Sequence, residues 1–289
     1  MSMDFNRRQF WLGNRSGCRF FTPVIHPTAV IHPDAKLGPS VQVGPLAVID
    51  AEVEVGPNCI IGPHAYLTGR TKIGANNKFF ASCVIGEAPQ DLKYKGAASG
   101  LRIGDYNVFR ECVTVHRANL EADQTTIGSH NLLMAHCHIA HDCHIGNYVI
   151  VANGALVGGH VRVDDRVLLS GNCLVHQFVR VGTLAMMQGG SAISKDLPPY
   201  TVARGDNTIC GLNTIGLRRA ELAPAVRLEL KQLYRSLFRD GINLRKAIVT
   251  ARDKFASEPA RVMLDFIATS KRGVCFDARA VADMNDEEV

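Results

Sequence analysis

A large apolar residue recurs at every sixth position through two thirds of the 289-residue chain. The repeat runs from Ile25 to Ile85, resumes from Ile103 to Val115, and continues from Ile127 to Ile193. It holds at twenty-six positions, more than chance produces in a sequence that is 46% hydrophobic. A hexapeptide repeat of this kind predicts a parallel β-helix, in which three units form one triangular coil of about 18 residues.

Two smaller residue types keep a fixed place in each repeat. Glycine often follows the large residue, and we expect it at corners that need an unusual backbone conformation. Four residues after the large residue the side chain is usually Ala or Cys, which fits beside it in the interior. We therefore interpret five of the nine cysteines as buried core residues rather than nucleophiles or metal ligands: Cys59, Cys83, Cys137, Cys143 and Cys173.

The extent of the repeat predicts the domain organisation. We expect a disordered or extended tail over residues 1–23, a β-helix over 24–203 with insertion loops at 87–100 and 117–124, and a helical C-terminal domain over 204–289 with a frayed acidic end. Apolar residues at helical spacing predict three helices that could cap the open end of the β-helix. These helices are expected around Val226–Leu237, after Asn243 as a possible N-cap, and from near Pro259 to before Gly273.

Composition excludes several classes of protein. The net charge is +5, and the sequence has no long run of Lys and Arg, so a nucleic-acid partner is not expected. The sequence contains no apolar stretch of 18 residues, so no transmembrane segment is expected. Nine cysteines without a Cys-x-x-Cys pair favour a reduced, cytoplasmic location over a disulfide framework.

Histidines are concentrated in the later coils. Eight of the eleven lie between His116 and His176. His141, His160 and His176 fall at nearly the same place in three successive 18-residue coils, which predicts that they lie along one edge of the β-helix. Gly159 and Gln177 lie one and two coils beyond His141 on the same edge.

This row of histidines leaves three interpretations open. His141 could act as a general base, with Asp142 fixing its tautomer and the Gly159 N–H stabilising a developing oxyanion. Alternatively, His141, His160 and His176 could bind zinc, as in the carbonic anhydrases built on a β-helix. In the third interpretation the histidines are partly exposed and bond only to water; the protein would then be a non-catalytic scaffold whose basic clefts bind a partner without turnover.

Three segments together resemble the UDP-N-acetylglucosamine acyltransferase family, which performs the first step of bacterial lipid A synthesis. They are His138-Ile139-Ala140-His141-Asp142-Cys143, the earlier Gly86-Glu87 with Gln90-Asp91-Leu92-Lys93-Tyr94, and the later Val175-His176-Gln177-Phe178. The resemblance implies a cytoplasmic homotrimer of left-handed β-helices with active sites between subunits. It also implies transfer of a 3-hydroxyacyl group from acyl carrier protein to the 3-hydroxyl of UDP-N-acetylglucosamine, with no cofactor, no metal and no covalent intermediate.

The resemblance also assigns roles residue by residue. His141 matches the family's general base, Asp142 its partner and Gly159 the oxyanion donor. Gly189 matches the position that limits acyl length, where glycine leaves room for a longer chain. Asn213 and Arg219 match residues near the uridine diphosphate. The other matched positions are substrate contacts in the family: Gln90, Asp91, Lys93, His138, His160, His176 and Gln177.

The sequence departs from the family pattern at three positions. Ile215 replaces a Glu, Ala220 replaces an Arg, and Pro89 stands where Asn is common. These changes affect the expected nucleotide contacts and leave N-acylation of a 3-amino UDP-sugar as an alternative reaction. The related N-acyltransferase that acts later in the pathway is less favoured, since it carries an extra N-terminal domain.

Overall fold

The computed structural model describes residues 25–241 and 243–278. The predicted tail over residues 1–23 and the acidic end beyond residue 278 lie outside the described residues. The strands are, in chain order, β1 Val30–Ile31, β2 Lys36–Leu37, β3 Gln42–Val43, β4 Val48–Ile49, β5 Glu54–Val55, β6 Ile60–Ile61, β7 Tyr66–Leu67, β8 Arg70–Ile73, β9 Lys78–Phe79, β10 Val84–Glu87, β11 Gly100–Ile103, β12 Val108–Phe109, β13 Thr114–His116, β14 Gln124–Ile127, β15 Leu132–Leu133, β16 His138–Ile139, β17 His144–Ile145, β18 Ile150–Val151, β19 Leu156–Val157, β20 Arg162–Val163, β21 Leu168–Leu169, β22 Leu174–Val175, β23 Arg180–Val181, β24 Met186–Met187, β25 Ala192–Ile193, β26 Thr201–Ala203, β27 Thr208–Leu212 and β28 Phe276–Asp277. The helices are α1 Thr214–Arg219, α2 Pro224–Phe238, α3 Leu244–Lys254 and α4 Glu258–Ala268.

The strands form the three faces of a prism, and each coil contributes one strand to each face. Sheet 1 has nine strands in the order β1-β4-β7-β10-β13-β16-β19-β22-β25, and sheet 2 has eight in the order β2-β5-β8-β11-β14-β17-β20-β23. Sheet 3 has eleven, in the order β28-β27-β26-β24-β21-β18-β15-β12-β9-β6-β3. All pairings within the coils are parallel, for example His138 with Leu156. The prediction of a mainly β protein built on a parallel β-helix is confirmed.

The interior of the prism contains the repeated apolar residues. Every one of them from Val43 to Ile193 is buried, and the rings of Phe79 and Phe109 stack with their centroids 4.7 Å apart. Ile25 at the open first coil remains exposed. The five cysteines assigned to the small inward position are also buried, as predicted.

The glycines that follow the large residues are needed for a reason other than the predicted one. Of these glycines only Gly86 has a positive φ. At most corners the left-handed residue lies two positions further along and is usually not glycine, as at Asn58 and His64. A Cβ at Gly56 would instead lie 2.6 Å from the Gly74 carbonyl carbon of the next coil. Close stacking of coils, rather than backbone conformation, therefore excludes a side chain at these positions.

A ladder of three buried asparagines runs through part of the interior. The Asn77 Oδ1 accepts from the Asn107 backbone N–H at 2.9 Å, and the Asn107 Oδ1 accepts from the Asn131 N–H at 2.9 Å. The Asn131 Oδ1 then accepts from the Val149 N–H at 2.7 Å. The side chains of this asparagine ladder occupy the inward position where the repeat predicts Ala or Cys, and hydrogen bonding between coils satisfies their polar atoms.

The helices lie where the apolar spacing predicts them. Helix α2 buries Leu230, Leu233 and Leu237, and Asn243 caps α3 by accepting from the Arg245 N–H. Helix α1 is too short to show in the apolar spacing, and it was not predicted. The Asp196 carboxylate is 1% exposed and accepts hydrogen bonds from Arg180 and from Ser270, which follows α4. These bonds join the last coils to the helices.

None of the described helices is long and apolar enough to cross a membrane.

Candidate active site

A cleft of about 710 Å³ lies on the outer face of sheet 1, beside the corner that leads to sheet 2. Strand register builds its floor, because residues paired in adjacent strands project on the same side. His138, Leu156, Leu174 and Ala192 are aligned in this way on β16, β19, β22 and β25. The lining around this floor includes Gln90, His116, His141, Gly159, His176 and Gln177.

His141 and Asp142 form a hydrogen-bonded dyad at this corner. Asp142 has φ 58°, the left-handed conformation found at most corners, and its Oδ2 lies 2.6 Å from the His141 Nδ1. The Asp142 N–H donates to the Thr125 Oγ1 at 2.8 Å, which fixes the backbone of the corner. His141 is 9% exposed and Asp142 is 8% exposed. A carboxylate can only accept a hydrogen bond, so the His141 Nδ1 carries the proton and donates to Asp142, and the Nε2 is left with its lone pair available.

Gly159 lies against the ring of His141. A Cβ at this position would lie 2.7 Å from both the Cε1 and the Nε2 of His141. The sequence analysis assigned Gly159 to oxyanion binding through its N–H, and the geometry adds that only glycine leaves room for the imidazole. Among the described residues, no acceptor is hydrogen-bonded to the Gly159 N–H.

Two further histidines make the cleft floor polar but uncharged. Burial lowers the pKa of His116 to about 4, and burial likewise lowers the pKa of His138 to about 4. The His138 Nδ1 pairs with the Thr114 Oγ1 at 2.7 Å, and the two imidazoles meet edge to face at 4.8 Å. The Nδ1 of His116 is buried without a hydrogen-bond partner in the described part of the chain. Both rings are therefore neutral at pH 7 and can bind polar groups of a ligand.

The first insertion loop brings its predicted residues toward the dyad. Gln90 lines the cleft. The Asp91 Oδ1 accepts from the Lys93 N–H at 2.9 Å, and this bond is the main reason that the pKa of the Asp91 carboxyl is lowered. The Lys93 side chain is exposed at the loop surface.

Comparison with known proteins supports the resemblance. Residues 196–275 match the family profile described as "Udp N-acetylglucosamine O-acyltransferase; Domain 2", and residues 34–69 and 124–159 match "Bacterial transferase hexapeptide (six repeats)". An acyl-[acyl-carrier-protein]–UDP-N-acetylglucosamine O-acyltransferase from Thiobacillus denitrificans is 45% identical over 87% of this chain and 98% of its own length. The chain belongs to the UDP-N-acetylglucosamine acyltransferase family, and it is an acyltransferase.

Two other comparisons agree with this assignment. The relative of the same name from Gloeothece citriformis is 48% identical over 60% of this chain, and the match spans 63% of that protein. The crystal structure of the UDP-N-acetylglucosamine acyltransferase LpxA from Bacteroides fragilis superposes with a TM-score of 0.83 at 41% identity, covering 86% of this chain and 98% of that one.

The residues that the family resemblance singled out do not all reach the cleft of one chain. His138, His141, Gly159, His176, Gln177 and Gln90 line it. His160 does not: its ring stacks on Phe178 at 4.4 Å, and its Nε2 lies 3.6 Å from the Asp142 Oδ2. Gly189 lies at a different corner, between sheets 3 and 1.

The two residues matched to the nucleotide end of the family's site also lie outside the cleft. The Asn213 side chain caps α1 by accepting from the Gly216 N–H, and its Nδ2 donates to the Leu184 carbonyl. Arg219 is exposed in the last turn of α1. Ile215, which replaces the family's Glu, is 55% exposed on the same helix.

The zinc interpretation required His141, His160 and His176 to converge. The structure instead groups His141, Asp142 and His160, whose ligand atoms lie within 4.8 Å of one another. The Nδ1 of His176 lies 3.1 Å from the Gln177 carbonyl oxygen. The three histidines therefore do not form the predicted ligand set.

Sequence reasoning missed the roles of His116 and Asn119. His116 follows a repeat residue at the position that elsewhere often holds glycine, and this exception is the only signal that the sequence offers. Asn119 lies in the second insertion, where no periodicity applies, yet it contacts both Asp91 and Asp142. The interior cysteines are correctly excluded as nucleophiles, because burial raises the pKa of Cys137 and of Cys143 to about 12.

Proposed function

We propose that this chain transfers a 3-hydroxyacyl group from acyl carrier protein to the 3-hydroxyl of UDP-N-acetylglucosamine, with His141 as general base. The observation that carries the proposal is the His141–Asp142 dyad opening on a cleft with a neutral, partly polar floor. The names of the relatives supply the substrates, and the free thiols are consistent with action in the cytoplasm.

The reaction follows from the geometry of the dyad. A sugar hydroxyl is a weak nucleophile at pH 7, so the His141 Nε2 takes its proton as the oxygen attacks the thioester carbonyl carbon. Asp142 stabilises the imidazolium that forms, and the Gly159 N–H donates to the oxyanion. When the intermediate collapses, the carbon–sulfur bond breaks and His141 returns the proton to the departing thiolate.

We assign substrate contacts to the residues that surround this centre. His138, His176, Gln177 and Gln90 line the cleft and can bind sugar and acyl hydroxyls. The exposed Lys93 ammonium suits the diphosphate charge. Since Gly189, Asn213 and Arg219 lie outside the cleft of their own chain, we propose that a neighbouring subunit supplies them.

The outer faces of the prism support a homotrimer. The outward residues of sheet 2 are mostly charged, namely Lys36, Glu54, Lys72, Arg102, Arg162 and Arg180. Those of the other two sheets are mostly apolar, with Val30, Val48, Val84, Leu156 and Leu174 on sheet 1 and Ile60, Val108, Leu132, Ile150, Leu168 and Met186 on sheet 3. Packing sheet 1 of one copy on sheet 3 of the next covers apolar surface of both, and a head-to-tail contact of this kind with a rotation of about 120° closes into a ring of three. Light scattering should give three times the 31.4 kDa chain mass.

A substitution of His141 tests the mechanism. His141→Ala should lower turnover by about 10³-fold, the usual range for loss of a general base, while the trimer and the melting temperature are unchanged. The control is His144→Ala, because His144 lies on the outer face of sheet 2 and pairs with Thr126. Full activity in His141→Ala would remove His141 as the base.

The acceptor should be tested directly, because Ile215 and Ala220 change the family motif. Each of UDP-N-acetylglucosamine and its 3-amino analogue is assayed with 3-hydroxyacyl carrier proteins of several chain lengths. Ester formation that is faster than amide formation supports the proposed reaction. Amide formation without ester formation would assign the enzyme to the 3-amino sugar.

A further inference from the structure

Arg117, at the start of the second insertion, holds the first insertion at its beginning and at Tyr94. Arg117 donates from its backbone N–H to the Glu87 carbonyl at 3.1 Å. From its side chain, the Nη1 donates to the Gly86 carbonyl at 2.8 Å. Its Nη2 donates to the hydroxyl of Tyr94 at 2.9 Å. The loop between Glu87 and Tyr94, which carries Gln90, Asp91 and Lys93, is thus attached to a segment that lies one coil further along the chain.

Asn119 connects that loop to the dyad. Its Nδ2 donates to the Asp91 Oδ2 at 2.9 Å, and its backbone N–H donates to the Asp142 Oδ1 at 3.1 Å. The other oxygen of Asp142 contacts the His141 Nδ1 at 2.6 Å. Four residues therefore form one continuous chain of hydrogen bonds: Asp91, Asn119, Asp142 and His141.

The orientation of the Asn119 amide is determined by its neighbours. Asp91 carries a carboxylate, which accepts hydrogen bonds and donates none, so the NH₂ group must face it. The Asn119 Oδ1 is then buried without a hydrogen-bond partner among the described residues. A buried acceptor without a hydrogen bond is unfavourable, and most buried polar atoms in proteins have a partner. The Asn119 side chain therefore calls for an explanation other than stability.

We propose that Asn119 is a positioning residue that holds the Gln90–Lys93 loop in a fixed place relative to the His141–Asp142 dyad. The inference rests on the proposed function, since it assumes that the loop contacts substrate and that the dyad performs the chemistry. The two hydrogen bonds of Asn119 come from different parts of the residue, so a substitution can remove one and keep the other. Any residue at position 119 except proline keeps the backbone bond to Asp142, whereas only the side chain holds Asp91.

Asn119→Leu tests the proposal, because leucine has a similar shape but no hydrogen-bonding group. With the loop released, trypsin should cleave after the exposed Lys93 and Lys95 about tenfold faster, in keeping with loss of a hydrogen bond to a charged group. KM should rise by about tenfold for the same reason, while the pH dependence of kcat stays that of the wild type. The matched control is Leu120→Ala, since Leu120 is the next residue and is 63% exposed.

A double substitution decides whether Asn119 acts through Asp91. Asp91→Ala already removes the acceptor, so adding Asn119→Leu should change neither cleavage nor KM further. Additive effects, or cleavage of Asn119→Leu at the wild-type rate, would overturn the proposal. A shifted pH profile of kcat without faster cleavage would also overturn it, because Asn119 would then act on the dyad. If the wild type transferred no acyl group, the proposed function would fail, and the cleavage comparison would still decide the positioning role.

Discussion

Gly159→Ala should disable the enzyme without unfolding it. The new Cβ would lie 2.7 Å from the His141 Cε1 and Nε2, whereas carbon atoms in contact prefer about 3.5 Å, so the ring must retreat by about 0.8 Å. It cannot retreat freely, because its Nδ1 is held by Asp142 at 2.6 Å. A displacement near 1 Å in a catalytic group costs about 100-fold in rate, which corresponds to about 2.7 kcal/mol in the activation barrier.

The assay is steady-state acyl transfer combined with thermal unfolding and a crystal structure of the variant. Turnover should fall by about 100-fold while the melting temperature changes little, since alanine retains the N–H at this position. Gly171→Ala controls for the backbone effect, because its Cβ would lie 3.5 Å from the Asn153 carbonyl, which is ordinary contact, and its melting temperature should be unchanged. Near-normal turnover with an imidazole that has not moved would refute the steric argument.

Two further predictions concern stability. Asp196→Ala should lower the free energy of unfolding by about 3–5 kcal/mol in urea titrations, because it leaves the part-buried guanidinium of Arg180 without its carboxylate; a change below about 1 kcal/mol would contradict this. Burial lowers the pKa of His116 from its usual 6.5 to about 4, so below pH 6.5 the unfolded chain takes up a proton that the folded chain does not, and stability falls as the pH falls toward 4. His116→Phe should reduce this slope by about 1.4 kcal/mol per pH unit, measured by unfolding at several pH values, and an unchanged slope would contradict the assignment.

The sequence predicted the β-helix and its core, because both depend on a strict period. Six-residue spacing was sufficient to place Cys143 in the interior and His141 at a corner. Spacing does not distinguish His160 from His176, which share an edge but differ in what they contact: the ring of His160 stacks on Phe178, whereas His176 lines the cleft. Spacing assigns a residue to an edge of the β-helix, but it does not reveal which neighbours its side chain contacts.

The link between the insertions could not be predicted for a different reason. Arg117 and Asn119 act through hydrogen bonds to residues 23 to 31 positions earlier, and neither belongs to the repeat. Such contacts depend on how two irregular segments fold against each other. The explanation for the glycines was also wrong, since a period shows where a small residue is needed but not whether backbone conformation or a neighbouring coil requires it.

The asparagine ladder has a consequence for how the enzyme tolerates change in its loops. Paired residues in neighbouring coils are normally 18 positions apart, but Asn77 and Asn107 are 30 apart and Asn107 and Asn131 are 24 apart. The ladder therefore spans the two coils that contain the insertions. A register shift of one hexapeptide unit between these coils would leave side-chain amides of the ladder without hydrogen bonds, which costs about 1–3 kcal/mol for each amide. The insertion loops can thus lengthen or shorten at the surface while the alignment of the coils before and after them, and with it the floor of the cleft, stays the same.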